Sequence, residues 1–221
     1  MSHEAQNARA TIRGQRGLFP ILASTVDPGF SEIDAVIHHD VLYTCFLELG
    51  TSRQVEARQL LLRAGEVAEH LYLIEQGSAR LYVLDAEGRE TTTQFFFEGD
   101  VVSSLESFLT GGPSAQNLIT MEACQLRILE GVAIKARVKT DPTLQADLLA
   151  LTQQRLIHYI NLYTGSIAES PTQRYLALQA MHRQELERIP QHILASYLGV
   201  SAVHLSRIRR KLKNTPSGDA I

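Results

Sequence analysis

Residues 189–212 read IPQHILASYLGVSAVHLSRIRRKL, and this stretch decides the C-terminal fold. Apolar residues recur at helical spacing on both sides of Gly199, namely Ile193, Leu194, Tyr197 and Leu198 before it and Leu205, Ile208 and Leu212 after it. Gly199 can adopt the positive φ that a sharp helix exit requires, and the Ser201 hydroxyl can cap the helix that follows. The stretch therefore predicts two short amphipathic helices joined by the turn Gly199-Val200-Ser201, which is a helix-turn-helix.

The second predicted helix places polar and basic side chains between its apolar positions. The candidate DNA-contacting residues are Ser201, Ala202, Val203, His204, Ser206, Arg207, Arg209, Arg210 and Lys211. Arg207 is the candidate base reader, because its planar guanidinium can pair with guanine in the major groove. Arg209, Arg210 and Lys211 are candidates for phosphate contacts, which supply affinity without sequence preference. The alternative is a basic amphipathic helix that only solvates a surface.

The charge distribution agrees with a nucleic-acid partner for this segment alone. Residues 171–221 hold eight Lys or Arg and three Asp or Glu, a net charge of +5. Because the whole chain carries −3, residues 1–170 carry −8. This asymmetry directs DNA to the C-terminal segment.

Length and composition indicate a globular protein with two modest domains. The chain has 221 residues, of which 44% are hydrophobic, and it lacks an apolar run of the roughly 20 residues that a membrane span needs. The segment 1–17 is polar and has no signal-peptide core, so a cytoplasmic location is expected. Cys45 and Cys124 are far apart and lack metal-ligand spacing, which predicts reduced structural thiols; a ligand pair or a redox switch is the alternative.

The middle of the chain has the rhythm of an antiparallel β domain. After a mainly helical segment at residues 30–49, glycines 65, 77, 88 and 99 punctuate short strand-like runs. The predicted strands are residues 60–62, 71–74, 79–84, 91–97 and 124–129, with a hairpin turn at 85–88. This spacing favours an antiparallel barrel or a jelly roll.

Four further motifs carry a resemblance to a known family. They are Ala64-Gly65-Glu66, Leu71-Tyr72-Leu73-Ile74 before Gly77, residues 85–90 (DAEGRE) and Glu98-Gly99-Asp100, which follow the pattern of cyclic-nucleotide-binding β-rolls. With the helix-turn-helix, the chain resembles the Crp/Fnr superfamily of bacterial transcription regulators from about Arg53 to Lys213. The resemblance implies a sensory β-roll, a long dimerisation helix and a DNA reader whose geometry an effector changes.

The expected fold is therefore α+β: an N-terminal antiparallel β-roll (a double-stranded β-helix or jelly roll) with flanking helices, then a long dimerisation helix and a C-terminal helix-turn-helix domain. The expected boundaries are a mobile tail at 1–17, the sensor at 18–132, the dimerisation helix at 133–165, the DNA-binding domain at 166–214 and a tail at 215–221. Pro142 suits the first turn of the long helix, which the sequence extends to about Thr164.

A stripe on the long helix predicts its role in dimerisation. Its members alternate in steps of four and three, with Arg155 interrupting them: Leu144, Leu148, Leu151, His158 and Leu162. The stripe could instead pack on the β-roll of its own chain. A homodimer suits a palindromic operator with half-sites roughly 34 Å apart, and RNA polymerase is a further candidate partner.

The candidate effector pocket departs from the cyclic-AMP binders of the family. Those proteins resemble one another in a Gly-Glu-Leu segment followed by an Arg and a Ser or Thr, where the Arg pairs with the cyclic phosphate. Here Ser104 stands in place of the Glu, and Ser114-Ala115 in place of the Arg-Ser. Burying a phosphate without a cation costs several kcal/mol, so cyclic AMP is not the expected ligand.

An unknown small effector could use a set of polar donors and acceptors, namely Ser103, Ser104, Glu106, Ser107, Ser114 and Gln116. The alternative is that these residues only cap a short helix and tighten the Gly-Gly-Pro turn. An iron–sulfur cluster is disfavoured because such clusters generally need four thiolates and the chain has two Cys. No His spacing supports a haem, although His70 and His158 are available, and neither a metal nor a cofactor is expected.

The reader also differs from the cyclic-AMP type, since Ala202 and Val203 follow Ser201 where that type has an Arg and a Glu. These side chains can offer only van der Waals contact, for example to thymine methyl groups, so a different operator is expected. An enzyme is disfavoured because the sequence lacks a nucleophile elbow, a His-Glu-x-x-His pair and a phosphate loop with Lys. The remaining alternative is an effector-independent protein-interaction or scaffolding module with residual DNA binding.

Overall fold

A computed structural model describes residues 40–181 and 183–214. The tails predicted at 1–17 and 215–221, and residues 30–39 of the first predicted helix, lie outside the described residues. Eight helices are described: α1 (Asp40–Leu49), α2 (Leu105–Thr110), α3 (Gly131–Val138), α4 (Pro142–Ala168), α5 (Pro171–Met181), α6 (Arg183–Arg188), α7 (Gln191–Tyr197) and α8 (Ala202–Asn214). The strands are β1 (Thr51–Val55), β2 (Leu60–Leu62), β3 (His70–Gln76), β4 (Ala79–Leu84), β5 (Glu90–Phe96), β6 (Val101–Val102), β7 (Asn117–Thr120) and β8 (Cys124–Glu130).

The strands form two antiparallel four-stranded sheets, in the orders β1-β8-β3-β6 and β2-β7-β4-β5. This interleaving is the jelly-roll topology, and it confirms the predicted β-roll; the described strands do not close into a barrel. All five predicted strands are present. Three were missed: β1 because its side chains are mostly exposed and polar, β6 because it has two residues, and β7 because it lies in a polar stretch.

Local chemistry explains the turns that separate the strands. In the β4–β5 hairpin, the Gly88 N–H donates to the Asp85 carbonyl, and Gly88 has a φ of 76°. Gly77 has a φ of 98°, and a Cβ there would lie 2.6 Å from the Cys124 sulfur. Glycine is therefore required at position 77 both by conformation and by space.

The long helix α4 begins at Pro142, as predicted, and the Asp141 carboxylate caps it by accepting from the Thr143 and Leu144 N–H groups. It ends at Ala168, about one turn later than the sequence indicated. The separate helix α3 precedes it, so the segment 133–165 holds parts of two helices.

The predicted dimerisation stripe is wrong in its leading residues. Leu144 and Leu151 are buried in the core of their own β-roll, and Leu148 packs against that core. The Asp147 carboxylate on the same face accepts from the Val41 and Leu42 N–H groups of α1. Periodicity identified an apolar face, but it could not say whether that face meets a partner or the sheet beside it.

A second core lies around helices α5 to α8. Its central members are Leu194, Leu198 and Leu205, each at most 1% exposed. Two phenylalanines of the β-roll, Phe95 and Phe97, belong to this core and not to that of their own domain.

Candidate functional site

The helix-turn-helix forms as predicted. Helix α7 ends at Tyr197, Gly199 has a φ of 65°, and the Val200 N–H donates to the Ala195 carbonyl. The Ser201 hydroxyl accepts from the His204 N–H at 3.1 Å, which is the predicted cap of α8. The turn is one residue longer than expected, because Leu198 is already outside α7.

Helix α8 divides into a buried face and a free face. Leu205 and Ile208 are buried against α7 and α5. The exposed members of the predicted reading set are Ser201, Val203, His204, Ser206, Arg207, Arg210 and Lys211. The free face thus holds Arg207 and Arg210, two of the three arginines predicted to contact DNA. It also holds Val203, which is 63% exposed.

Arg209 lies apart from that face. Its Nε donates to the Tyr175 hydroxyl at 3.2 Å, and its guanidinium sits 5.5 Å from the centre of the Tyr175 ring. This contact ties α8 to α5. Ala202 is half-buried, and its carbonyl accepts from the Gln191 side chain at 2.8 Å.

Arg174 is a positioning residue that the sequence did not single out. Its Nη2 donates to the Leu198 carbonyl at 2.8 Å, and its Nη1 donates to the Glu169 carbonyl at 2.6 Å. One guanidinium therefore satisfies carbonyls at the C-terminal ends of both α4 and α7, where the helix dipoles favour a cation. No local pattern could reveal this role, because the two carbonyls are distant in sequence.

In the β-roll, the predicted polar pocket residues bond either to one another or to nearby residues of the same domain. The Ser104 and Ser114 hydroxyls are 2.8 Å apart and buried, and the Ser114 hydroxyl also accepts from the Gln116 N–H. The Ser107 hydroxyl donates to the Gly112 carbonyl and accepts from the Ala68 N–H. Glu106 is exposed on α2. These bonds match the alternative in which the residues tighten the turn after α2.

Ser103 alone of that set lines a small cleft between the β-roll and α4. The cleft is bounded by Leu71, Gln94, Phe96, Val101, Ser103, Leu105, Leu151, Arg155 and Tyr159. The Gln94 carboxamide oxygen accepts from the Tyr159 hydroxyl at 3.1 Å, while its buried Nε2 lacks a hydrogen-bond partner among the described residues. Gln94 is thus an unsatisfied donor beside a cleft.

Arg155, predicted only as an interruption of the apolar stripe, forms one wall of this cleft. Its guanidinium lies 4.9 Å from the Phe96 ring centre and donates to the Val101 carbonyl at 3.1 Å. It also lies 3.8 Å from the Asp100 carboxylate. Burial raises the pKa of Asp100 to about 6, although Arg155 and a hydrogen bond from the Phe97 N–H act in the opposite direction.

An apolar stripe remains exposed on the opposite side of α4. Its members repeat at heptad-like spacing and are 53–70% exposed: Leu149, Leu156, Ile160, Tyr163 and Ile167. Successive positions fall within about 40° of one line along a helix with 100° per residue. This surface, called the α4 stripe below, differs from the stripe that the sequence suggested.

Comparison with known proteins agrees with this architecture. Residues 52–141 match the cyclic nucleotide-binding domain family. The cAMP-activated global transcriptional regulator CRP of Escherichia coli O6:H1 is 26% identical over 100 residues, covering 45% of this chain and 48% of the relative. The match therefore spans about half the length of that relative.

Two solved structures resemble the fold over more of the chain. FixK2 from Bradyrhizobium japonicum superposes with a TM-score of 0.67 and 17% identity, covering 77% of this chain and 90% of that one. The c-di-GMP responsive global regulator CLP from Xanthomonas campestris superposes with a TM-score of 0.64 and 20% identity, covering 79% of this chain and 91% of that one. This chain shares the fold of these two proteins.

Two further findings concern residues 40–181 and 183–214. None of the helices there is long and apolar enough to cross a membrane. The same residues hold no group of three or more His, Cys, Asp or Glu arranged to bind a metal ion. His70, the one haem-ligand candidate on a strand, lies with its Nε2 3.2 Å from the Glu130 carboxylate.

Proposed function

We propose that this protein is a dimeric transcription regulator of the Crp/Fnr type that reads DNA with helix α8. The observation that carries the proposal is the free face of α8, because it combines exposed guanidinium groups with a helix-turn-helix cap and turn. We assign base reading to Arg207, and phosphate contact to Arg210 and Lys211. Arg209 is held against Tyr175, and we assign it to positioning α8.

The α4 stripe is the proposed dimer seam. Five large apolar side chains at heptad-like spacing form a surface that a second copy of the same helix would cover. Two copies related by a twofold axis would present two α8 helices to a palindromic site. RNA polymerase as a further partner stays a prediction.

For the sensor, we propose that an effector binds beside Gln94, where the cleft as it stands has room for about one water molecule, and that the effector is not cyclic AMP. The unsatisfied Gln94 Nε2 would favour a ligand with a hydrogen-bond acceptor, surrounded by the apolar side chains of Phe96 and Leu151. Ser103 stays a candidate effector-binding residue, because it lines this cleft. The other five predicted residues are assigned to the loop that they hold together or, for Glu106, to the surface.

The test is selection of bound sequences from a random duplex pool by the purified protein. An enriched palindrome supports a dimeric reader, and an Arg207→Ala protein should relax the preference at one base pair of each half-site. If no sequence is enriched with or without cell extract, DNA reading is wrong and an interaction module becomes the better explanation. Repeating the selection with cell extract shows whether a small effector changes the outcome.

A further inference from the structure

Helix α8 exposes one large apolar side chain on its basic surface. Within the described residues 183–214, Val203 is the only large apolar residue that is exposed, and it is 63% exposed. Leu205 and Ile208 of the same helix are 0% and 5% exposed. A single exposed valine is ordinary on a protein surface, so its meaning depends on its neighbours.

Val203 lies near the middle of the face that points away from the core. With 100° per residue, Leu205 and Ile208 are about 160° and 140° away from it around the helix axis. Arg207 and Arg210 lie within about 40° of it, and both are exposed. Val203 is therefore the first member of a line of exposed side chains along α8, and Arg207 follows it one turn later.

Hydrogen bonds fix the backbone on both sides of Val203. The Ala202 carbonyl accepts from the Gln191 side chain at 2.8 Å, and the Ser201 hydroxyl accepts from the His204 N–H at 3.1 Å. A β-branched side chain in a helix also has one strongly preferred χ1 rotamer. Val203 is consequently ordered before any ligand binds, and it loses little conformational entropy on contact.

The two apolar residues at the start of α8 differ in their access to a ligand. Ala202 is half-buried, whereas Val203 is exposed. Val203 also shares its line with Arg207, the proposed base reader. Of the pair that the sequence suggested for van der Waals contact with bases, Val203 is therefore the stronger candidate.

The surroundings of Val203 favour DNA over an apolar protein surface as its partner. Arg207 and Arg210 lie on the same line, and their charges suit a phosphate-rich partner. Base edges in the major groove present hydrogen-bond donors and acceptors, together with the C5-methyl group of thymine. A valine held over a donor or acceptor would remove water without replacing its hydrogen bond, which is unfavourable. Over a thymine methyl group, the valine buries apolar surface on both sides of the contact.

We infer that Val203 is a specificity-determining residue that recognises the C5-methyl group of a thymine in each half-site. This inference rests on the proposed DNA reading by α8. Val203 and Arg207 are four residues apart, which is about 6 Å along the helix axis, while neighbouring base pairs are about 3.4 Å apart. The recognised thymine therefore lies within about two base pairs of the one that Arg207 reads.

The first experiment removes the methyl group from the DNA. Each thymine of the selected operator is replaced in turn by deoxyuracil in both half-sites, which keeps the base pairing and the O4 acceptor. Fluorescence anisotropy gives the dissociation constant of each duplex. At one thymine position, binding by the unaltered protein should weaken roughly fourfold for each of the two methyl groups removed, because the apolar burial of a methyl-sized group is lost.

The same duplexes are then measured with Val203→Ala. This variant should bind the thymine and deoxyuracil duplexes within about twofold of each other at that position, since the partner of the methyl group is gone. The matched control is Val132→Ala, which truncates an 83% exposed valine of α3 and should keep the full methyl dependence. Because Val203 is exposed, its truncation should leave the urea unfolding curve nearly unchanged.

The second experiment adds a methyl group instead of removing one. The recognised thymine of one half-site is replaced by cytosine in one duplex and by 5-methylcytosine in another, each paired with guanine. The unaltered protein should bind the 5-methylcytosine duplex roughly fourfold more tightly than the cytosine duplex. Val203→Ala should bind the two duplexes equally.

A thymine methyl group that matters to the unaltered protein but not to Val203→Ala supports the inference. The inference is overturned if no deoxyuracil duplex binds more weakly, or if the loss at each sensitive thymine persists in Val203→Ala. An operator without thymine within about two base pairs of the Arg207 position overturns it as well. If no sequence is enriched from the random pool, the proposed function itself fails. If a sequence is enriched and Arg207→Ala relaxes it without any methyl dependence, the DNA reading stands and the role of Val203 is wrong.

Discussion

The hydroxyl oxygens of Ser104 and Ser114 lie 2.8 Å apart, and both side chains are buried. These are the positions at which cyclic-AMP binders resembling this chain place a Glu and an Arg. The serines join the start of α2 to the loop before β7 with neutral hydrogen bonds. The nearby buried guanidinium of Arg155 is directed to the Val101 carbonyl and toward Asp100. A cyclic phosphate would therefore displace established bonds and gain no free cation at this loop.

Cyclic AMP should accordingly leave the melting temperature of this protein unchanged. A ligand at about 100 times its dissociation constant would stabilise the folded state by about 2.7 kcal/mol and raise the melting temperature measurably. Differential scanning fluorimetry over a cyclic-AMP titration is the measurement, with AMP as the matched control. A concentration-dependent rise that AMP does not give would contradict the assignment of this loop.

Arg207 and Arg209 should behave differently although they are two residues apart. Arg207→Ala should cost roughly 1–3 kcal/mol on the preferred operator and little on random DNA, because a base contact is lost. Arg209→Ala should lower the free energy of unfolding by about 1 kcal/mol through loss of the Tyr175 contact, and leave base preference unchanged. Fluorescence anisotropy on both duplexes and urea unfolding measure these effects. An equal loss on both duplexes for Arg207→Ala would assign it to phosphate.

The helix-turn-helix could be predicted closely because its determinants are local. Gly199 supplies the left-handed turn, Ser201 caps the next helix, and the apolar spacing sets two faces within 24 residues. The buried strands of the β-roll could be predicted, because short runs containing apolar residues between glycines indicate strands. The exposed strand β1 carries no such pattern and forms only because β8 pairs with it.

The effector region and the use of each helix face could not be predicted in the same way. The cleft combines Gln94 of β5 with Arg155 and Tyr159 of α4, and no spacing in the sequence records that these meet. Leu151 and Ile160 are both apolar residues of α4, yet Leu151 is 6% exposed and Ile160 is 53% exposed. Which of the two faces the sheet is decided by tertiary packing.

The α4 stripe gives a direct test of dimerisation. Ile160→Asp would place a charge in the middle of the proposed seam and should weaken the dimer by about 2 kcal/mol or more, roughly thirtyfold in its dissociation constant. Sedimentation velocity over a concentration series measures it. Thr164→Asp is the matched control, because Thr164 is exposed on α4 outside the stripe. An unchanged dimer with Ile160→Asp would place the seam elsewhere.

Asp100 should make stability depend on pH in the weakly acidic range. Its pKa is raised from 3.8 to about 6, chiefly by burial, so the folded state binds the proton more tightly than the unfolded state does. The resulting stabilisation is complete below about pH 4 and is lost as the pH rises through 6, amounting to at most about 3 kcal/mol.

Asp100→Asn removes the titrating group while its amide oxygen can still accept from the Phe97 N–H. Urea unfolding of both proteins from pH 4 to 7 should show the unaltered protein losing stability relative to the variant as the pH rises. The exposed Asp85, whose pKa is lowered by hydrogen bonds from Arg89, provides the control. Asp85→Asn should change stability by nearly the same amount at every pH from 4 to 7, because Asp85 titrates below that range. A pH-independent difference between the unaltered protein and Asp100→Asn would mean that Asp100 is already ionised and compensated by Arg155 in the folded state.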